Sequence, residues 1–329
     1  MKFQNTKIAA GFMRQSATGF VFAAGFMLLL LSSTASAQSQ KAQPQKAPVE
    51  VPFEFVHNQI VVQVKIAGKG PFNMLVDTDT DPSAIDAATA RELGLSIAST
   101  GAPASGGGTE ANTTYPTTLP TVELGPITAR QVAAATIDMS KISDRIERKI
   151  QGVLGFSFLK DRILQIDYAN SKLRFFAESP YPRIQLAPNT VNTIAMTFKR
   201  EDGDVIIDSV FVNNEKMRAT LDTGSSGGFS LTPEAVALLG LDDDANDSGG
   251  GGKTETSVGY NGQYERKTGI LKSVRMGRYA TEGVQAAFFP PKTGQDNKPY
   301  QVNIGNGFFQ DFLMTFDFKN KIVVLERVD

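Results

Sequence analysis

The chain has 329 residues, of which 41% are hydrophobic, and it carries 33 lysines and arginines against 34 aspartates and glutamates. This composition is typical of a globular protein with one large core or two smaller ones, and it excludes a disordered chain. The chain has no cysteine, which excludes disulfides, a thiolate nucleophile and a cysteine-linked lipid anchor.

The first 37 residues are predicted to form an export signal. Lys2, Lys7 and Arg14 precede the apolar run FVFAAGFMLLLL, and the ASA tripeptide at Ala35 suits cleavage after Ala37. The apolar run is short for a membrane span. We therefore expect a periplasmic or secreted protein that has no membrane contact unless the signal stays uncleaved.

A flexible linker is predicted at 38–50, which is rich in Gln, Ala and Pro, so folding should begin near Val51. Loss of the signal and its three basic residues leaves 30 basic against 34 acidic residues, a net charge near −4. This acidic balance argues against nucleic acid as a partner.

His57 is the only histidine, and it stands in the alternating run VPFEFVHNQIVVQVKI. We expect it on the solvent face of a strand. One histidine and no cysteine argue against a serine triad or a multi-histidine metal site, so no metal and no cofactor are predicted. Hydrolytic chemistry would then depend on carboxylates.

An internal repeat organises the rest of the chain. FNMLVDTDTDPSAIDAATARELGL, from Phe72, resembles MRATLDTGSSGGFSLTPEAVALLGL, from Met217. GFSFLKDRILQIDYANSKLRFF, from Gly155, matches GNGFFQDFLMTFDFKNKIVVLE, from Gly305, without a gap. A repeat of this length predicts two copies of one domain.

Each copy is predicted to contain strands, an Asp-Thr turn, a short helix, a glycine-rich stretch and more strands. The runs IVVQVKI and VIIDSVFV have strand composition. Asp86 is a candidate cap for the first helix, and Thr232 before Pro233 is a candidate cap for the second. The class is mainly β, with copies at 51–180 and 189–329.

The two Asp-Thr turns are the candidate chemical site. An apolar strand that ends in aspartate places a carboxylate beside the amides of the following turn, as in TLDTG around Asp222. If the turn of Asp77 faces that of Asp222, the two carboxylates share a proton, because like charges a few ångströms apart resist double ionisation. One carboxylate then serves as base and the other as acid.

These residues resemble the pepsin and retropepsin type of aspartic protease, in particular bacterial retropepsin-like proteins with two copies of the domain. The resemblance covers most of 51–329 and rests on LDTGSS at 221–226, VLGF at 153–156, NIGNG at 303–307 and a glycine-rich segment in each copy. It implies a bilobal acid-protease fold, with two retropepsin-like β-barrel lobes related by a pseudo-twofold axis.

The resemblance also implies roles for individual residues. Asp77 and Asp222 would be catalytic, activating a water that attacks the peptide bond of an extended polypeptide substrate. Thr78 and Thr223 would stabilise the paired turns, which also contain Asp79, Gly224 and Ser225. Two glycine-rich segments, SGGGTEANTTY and SGGGGKTETSVGYNGQY, would form flaps over the cleft. The recurring Asp161, Asp311, Asp167 and Asp317 are expected to be structural.

Asp79 departs from the family pattern, because it stands where the family has glycine. Three interpretations follow: an exported aspartic endopeptidase, a catalytically weak or inactive protein of the same fold that binds peptides or a partner, or two domains that each pair with another chain. Two copies in one chain favour a monomer with intramolecular lobe pairing, because tethering raises the effective concentration.

Overall fold

The computed structural model describes residues 47–104, 106–181, 192–241, 253–294, 296 and 298–328. The predicted export signal, most of the predicted linker and most of 181–188, between the two predicted copies, lie outside these residues. No helix in the described ranges is both long and apolar enough to cross a bilayer.

The elements of the two copies follow one another along the chain. The described part of the first copy contains strands β1 (Val49–Pro52), β2 (Glu54–Val56), β3 (Gln59–Ile66), β4 (Lys69–Val76), β5 (Ser83–Asp86), β6 (Ala102–Pro103), β7 (Thr113–Leu124), β8 (Ile127–Ile137), β9 (Gly152–Leu154), β10 (Ile163–Asp167) and β11 (Lys172–Phe176), with helices α1 (Ala87–Glu92), α2 (Ser140–Ile146) and α3 (Phe156–Leu159). The described part of the second copy contains strands β12 (Thr193–Thr197), β13 (Lys199–Glu201), β14 (Asp204–Val212), β15 (Glu215–Leu221), β16 (Phe229–Leu231), β17 (Thr254–Gly259), β18 (Gly262–Met276), β19 (Tyr279–Phe288), β20 (Val302–Ile304), β21 (Phe312–Asp317) and β22 (Ile322–Arg327), with helices α4 (Pro233–Leu238) and α5 (Asn306–Phe309).

Each copy folds into an eight-stranded sheet of the same topology. The strand order is β2-β3-β4-β9-β5-β8-β7-β6 in the first copy and β13-β14-β15-β20-β16-β19-β18-β17 in the second. In both sheets the strand before the Asp-Thr turn pairs in parallel with a short strand from late in the copy, β4 with β9 and β15 with β20. The repeat in the sequence is thus a repeat of the whole lobe, as predicted.

A third sheet joins the lobes within one chain. Its order is β1-β11-β10-β21-β22-β12, so each copy supplies three of its six strands. At its centre β10 pairs antiparallel with β21, from Ile163 opposite Asp317 to Asp167 opposite Leu313. All five residues of β10 are buried, which is expected for a strand covered on both faces. The two copies therefore pair with each other in the single chain; the monomeric state stays a prediction.

Local sequence accounts for the helix starts. Asp86 caps α1, accepting a hydrogen bond from the N–H of Thr89, and Thr232 caps α4 with Pro233 at the first helical position. Both caps agree with the sequence prediction. Asp167 and Asp317 accept hydrogen bonds from the N–H groups of Asn170 and Asn320, which makes them structural turn residues.

Two local expectations need correction. His57 is exposed but lies in the two-residue turn between β2 and β3, where it has a φ of 49° and Asn58 a φ of 59°. Two positive φ values are typical of a tight hairpin turn, and this turn interrupts the predicted strand. The folded chain also begins slightly earlier than expected near Val51, because Val49 already pairs with Phe175 in the shared sheet.

Candidate active site

The two Asp-Thr turns lie at equivalent ends of equivalent strands. Asp77 directly follows β4 and Asp222 directly follows β15. The N–H of Asp77 donates to the carbonyl oxygen of Leu154 at 3.1 Å, and that of Asp222 donates to Ile304 at 2.9 Å. The parallel neighbour strand therefore fixes the backbone of each aspartate in the same way.

Each aspartate accepts hydrogen bonds from its own turn. Asp77 Oδ1 accepts the N–H groups of Asp79 at 2.8 Å and Thr80 at 3.1 Å. Asp222 Oδ1 accepts those of Gly224 at 2.8 Å and Ser225 at 3.1 Å. These matching bonds orient both carboxylates, and they stabilise the ionised form.

The other carboxylate oxygens have different partners. Asp77 Oδ2 accepts a hydrogen bond from Thr80 Oγ1 at 2.6 Å, from within its own turn. Asp222 Oδ2 accepts one from Asn303 Nδ2 at 2.7 Å, from β20. Asn303 occupies the position that Val153 occupies in the first copy, so the lobes differ here.

The threonines bind the two turns to each other. The N–H of Thr78 donates to Thr223 Oγ1 and the N–H of Thr223 donates to Thr78 Oγ1, both at 3.1 Å. Thr78 Oγ1 then donates to the carbonyl oxygen of Leu221 at 2.6 Å, and Thr223 Oγ1 donates to that of Val76 at 3.0 Å. Both threonines are fully buried, so these four bonds form a symmetric junction beneath the carboxylates.

The carboxylate of Asp77 lies directly against the opposite turn. A Cβ placed on Gly224 would be 2.1 Å from Asp77 Oδ2, so no side chain fits between the turns at this glycine. Burial and the charge of Asp77 raise the pKa of Asp222 to about 7. Burial also raises the pKa of Asp77, against the opposing effect of its hydrogen bonds from Thr80 and Asp79.

The glycine-rich segments meet above this pair. Asn261, at the tip between β17 and β18, donates its N–H to the carbonyl oxygen of Gly107 at 3.0 Å, and its carbonyl accepts the N–H of Glu110 at 2.8 Å. Tyr260, next to this tip, has a hydroxyl whose pKa is raised well above the usual value by burial and by the charge of Asp77. The two segments thus form a roof that joins the lobes; Ser105 and 248–252 lie outside the described residues.

Beneath the roof lies a cleft of about 600 Å³ that contains both aspartates in its lining. Four buried side-chain atoms in the described part of the chain have no hydrogen-bond partner: Gln59 Oε1, Asp204 Oδ2, Arg266 Nε and Asn303 Oδ1. All four residues line this cleft. Buried polar atoms are normally satisfied, so the cleft fits a ligand with hydrogen-bonding groups of its own. Among the described residues, no group of three acidic or histidine side chains is placed to hold a metal ion.

The sequence profile described as aspartyl protease matches 62–158 and 209–308, one segment in each copy and more than half of the chain. The chain belongs to the aspartyl protease family. Comparison with curated protein sequences gave no significant match. The identification agrees with the resemblance seen in the motifs.

Two solved structures illustrate what this chain is similar to. The aspartic proteinase from Irpex lacteus has a TM-score of 0.51 at 14% identity, with 86% of this chain and 98% of that chain covered. Basic 7S globulin from soybean has a TM-score of 0.46 at 11% identity, with 85% and 95% covered. The first similarity confirms the predicted mainly β, bilobal acid-protease fold.

Asp79 points across to the other lobe of this member of the aspartyl protease family. Its Oδ1 accepts the N–H of Val205 at 2.9 Å, and its Oδ2 accepts the hydroxyl of Thr220. Burial and the charges of Asp222 and Asp204 raise its pKa well above the usual value. The aspartate in place of glycine is thus accommodated by donors from the second copy, and it adds a third carboxylate beside the pair.

Sequence reasoning missed several residues of the site. Asn303 stands within the NIGNG motif, but its counterpart in the first copy is apolar, so the repeat does not mark it. Asp204 begins β14, and only its burial at 5% exposure beside Lys298 distinguishes it. The position of Tyr260 depends on how the two flaps meet. Thr80 was visible in DTDTD but was not assigned a role.

Proposed function

We propose that the protein is an exported aspartic endopeptidase that hydrolyses extended polypeptide segments. The observation that carries the proposal is the pair of threonine-bonded Asp-Thr turns, with Asp77 and Asp222 at the base of a roofed cleft. The export part rests on the predicted signal at 1–37, which would place the enzyme in the periplasm or outside the cell.

The surroundings of the two carboxylates suggest how they divide their roles. Asp77 accepts two N–H groups and a hydroxyl from its turn, and the charge of Arg200 also favours its ionised form. The pKa of Asp222 is raised to about 7 by burial and by Asp77. We therefore assign the negative charge to Asp77 and the shared proton to Asp222 over the working range.

The reaction follows from this proton distribution. Asp77 takes a proton from a water bound between the carboxylates, and the water oxygen attacks the carbonyl carbon of the substrate. The proton of Asp222 passes to the carbonyl oxygen, which gives a neutral tetrahedral diol. Asp77 then donates its proton to the departing nitrogen while Asp222 takes one back from the diol. The C–N bond breaks, and the enzyme returns to its starting state.

The cleft suits a polypeptide in an extended conformation. Main-chain amides supply both donors and acceptors at regular spacing. They would satisfy the unpartnered Gln59 Oε1, Arg266 Nε and Asn303 Oδ1 along the lining. A roof formed by both copies would exclude water from the reacting bond, which strengthens the electrostatic effect of the carboxylates.

The test is cleavage of an unfolded protein by the purified enzyme between pH 3 and 8, with and without a transition-state-mimicking inhibitor of aspartic proteases. Inhibitor-sensitive cleavage is expected. Asp222→Asn and Asp77→Asn should each reduce kcat by orders of magnitude, and the double variant should be no worse, because the residues act as a unit. A folded Asp222→Asn variant that cleaves normally would overturn the proposal, and peptide binding without cleavage would favour the inactive binding protein.

A further inference from the structure

One end of the cleft carries an excess of carboxylates. Asp79 and Asp204 line the cleft beside Asp222, and Asp81 and Asp202 line it toward solvent. The turn that carries Asp202 abuts the turn of Asp81, since a Cβ on Gly203 would lie 3.5 Å from Asp81 Cβ. We call these four aspartates the acidic subsite.

The cations nearby only partly balance these charges. Arg200 donates to the carbonyl oxygen of Thr78 at 2.8 Å and to Asp81 Oδ2 at 3.2 Å, with its guanidinium 3.9 Å from the ring centre of Phe156. Arg200 is therefore already paired with Asp81. Lys298 Nζ is 3.7 Å from Asp204 Oδ2, which is an ion pair beyond hydrogen-bonding distance.

Asp204 is the residue whose surroundings point to a ligand. It is only 5% exposed, and its Oδ2 accepts no hydrogen bond although it belongs to the cleft lining. Asp79 is bonded to neutral donors only, the N–H of Val205 and the hydroxyl of Thr220. Buried carboxylates are normally paired with a cation and hydrogen-bonded. Lys298 and Arg200 act on Asp204 only through their charges, and neither donates a hydrogen bond to its Oδ2, so a further cationic donor fits here.

The opposite end of the cleft differs in charge. The turn of Asp202 and Gly203 before β14 corresponds to that of His57 and Asn58 before β3, so the two lie on opposite sides of the pseudo-twofold axis. There the position of Asp204 is taken by Gln59, which donates to the carbonyl oxygen of Gly224 at 2.8 Å. The acidic subsite is therefore one-sided.

Resting on the function proposed above, we propose that the acidic subsite binds a lysine or arginine side chain of the polypeptide substrate, on one side only of the cleaved bond. The ammonium or guanidinium group would donate to Asp204 Oδ2. It would also bring a positive charge close to Asp79, whose own hydrogen-bond donors are neutral. The site would then select peptides with a basic residue at one position near the cut.

The experiment uses quenched fluorescent peptides of one unstructured sequence, with lysine or methionine placed in turn at each of several positions on both sides of the cut. Lysine should raise kcat/KM about tenfold over methionine at a position on one side, the size expected for a hydrogen bond to a charged group. In Asp204→Asn this lysine-to-methionine ratio should fall toward one. Asp208→Asn is the matched control, because Asp208 lies on the same strand β14, is exposed and pairs with Lys199 and Arg218.

Two results would overturn the inference while leaving hydrolysis intact: equal kcat/KM for lysine and methionine at every position, or a lysine preference that survives in Asp204→Asn. If no peptide is cleaved, the proposed function is wrong, and the inference is then tested by measuring peptide binding. Fluorescence anisotropy of the labelled lysine and methionine peptides should then give the same ratio in affinity. A ratio of one would overturn the acidic subsite as a binding site.

Discussion

Replacement of Gly224 by alanine perturbs the contact between the two Asp-Thr turns most directly. The new methyl carbon would lie 2.1 Å from Asp77 Oδ2 and 2.4 Å from Asp77 Cγ. Non-bonded heavy atoms settle at about 3.5 Å from each other. The two turns must therefore move apart, or the carboxylate of Asp77 must shift, by roughly 1.4 Å. A displacement of that size at reacting groups costs on the order of 10²-fold in rate.

The assay is kcat/KM on a quenched fluorescent peptide, with circular dichroism to check that the fold is kept. Gly228→Ala is the control in the same loop, because its methyl carbon would lie 3.8 Å from the nearest atoms, Gly307 C and Phe308 N, which is an ordinary contact. Only Gly224→Ala should lose activity. If a folded Gly224→Ala variant cleaves as fast as Gly228→Ala, the carboxylate of Asp77 is not held against the turn of Asp222 as the structure has it.

Three further predictions concern the junction, the turn of Asp77 and the pH profile. Thr223→Val removes the hydroxyl that donates to Val76 and accepts from Thr78, so thermal unfolding should show a loss of about 2 kcal/mol at roughly 1 kcal/mol per bond; an unchanged Tm would contradict the junction. Thr80→Val removes the hydroxyl that donates to Asp77 Oδ2 at 2.6 Å, which raises the pKa of Asp77 and should move the acidic limb of the kcat/KM profile to higher pH. With the pKa of Asp222 at about 7, activity should fall as pH rises through about 7. The charge of Asp204 also raises the pKa of Asp222, so Asp204→Asn should move this alkaline limb to lower pH; superimposable profiles would show that Asp204 carries no charge near Asp222.

The internal repeat allowed much of the fold to be predicted. Local signals placed the strands around Asp77 and Asp222 and the caps at Asp86 and Thr232, because turn and cap chemistry depends on residues close in sequence. The same comparison predicted lobe pairing within the chain. The lobes are joined by the pairing of β10 with β21. This pairing connects residues about 150 positions apart, and no local sequence pattern identifies its register.

The parts of the site that differ between the copies were harder to predict. Asn303 and Asp204 correspond to Val153 and Gln59, so a search for recurring residues passes over them. Their roles come from contacts across a lobe or between lobes, such as Asn303 Nδ2 to Asp222 Oδ2 at 2.7 Å. Helix α2 has no counterpart among the described residues of the second copy either, so the repeat could not predict it.

The contacts of Asp79 explain how a turn that departs from the Asp-Thr-Gly motif is still accommodated in the site. Its turn lacks the glycine of the other copy, yet its carboxylate is turned away onto donors from the second lobe, Val205 N–H and Thr220 Oγ1. The hydroxyl donor exists because position 220 is threonine where the first copy has Leu75, so the two departures from symmetry compensate each other. The negative charge of Asp222 raises the pKa of Asp79 more than the charge of Asp77 does. Because neighbouring carboxyl groups resist simultaneous ionisation, this coupling keeps a proton among Asp79 and Asp222, which agrees with the assignment of the base to Asp77.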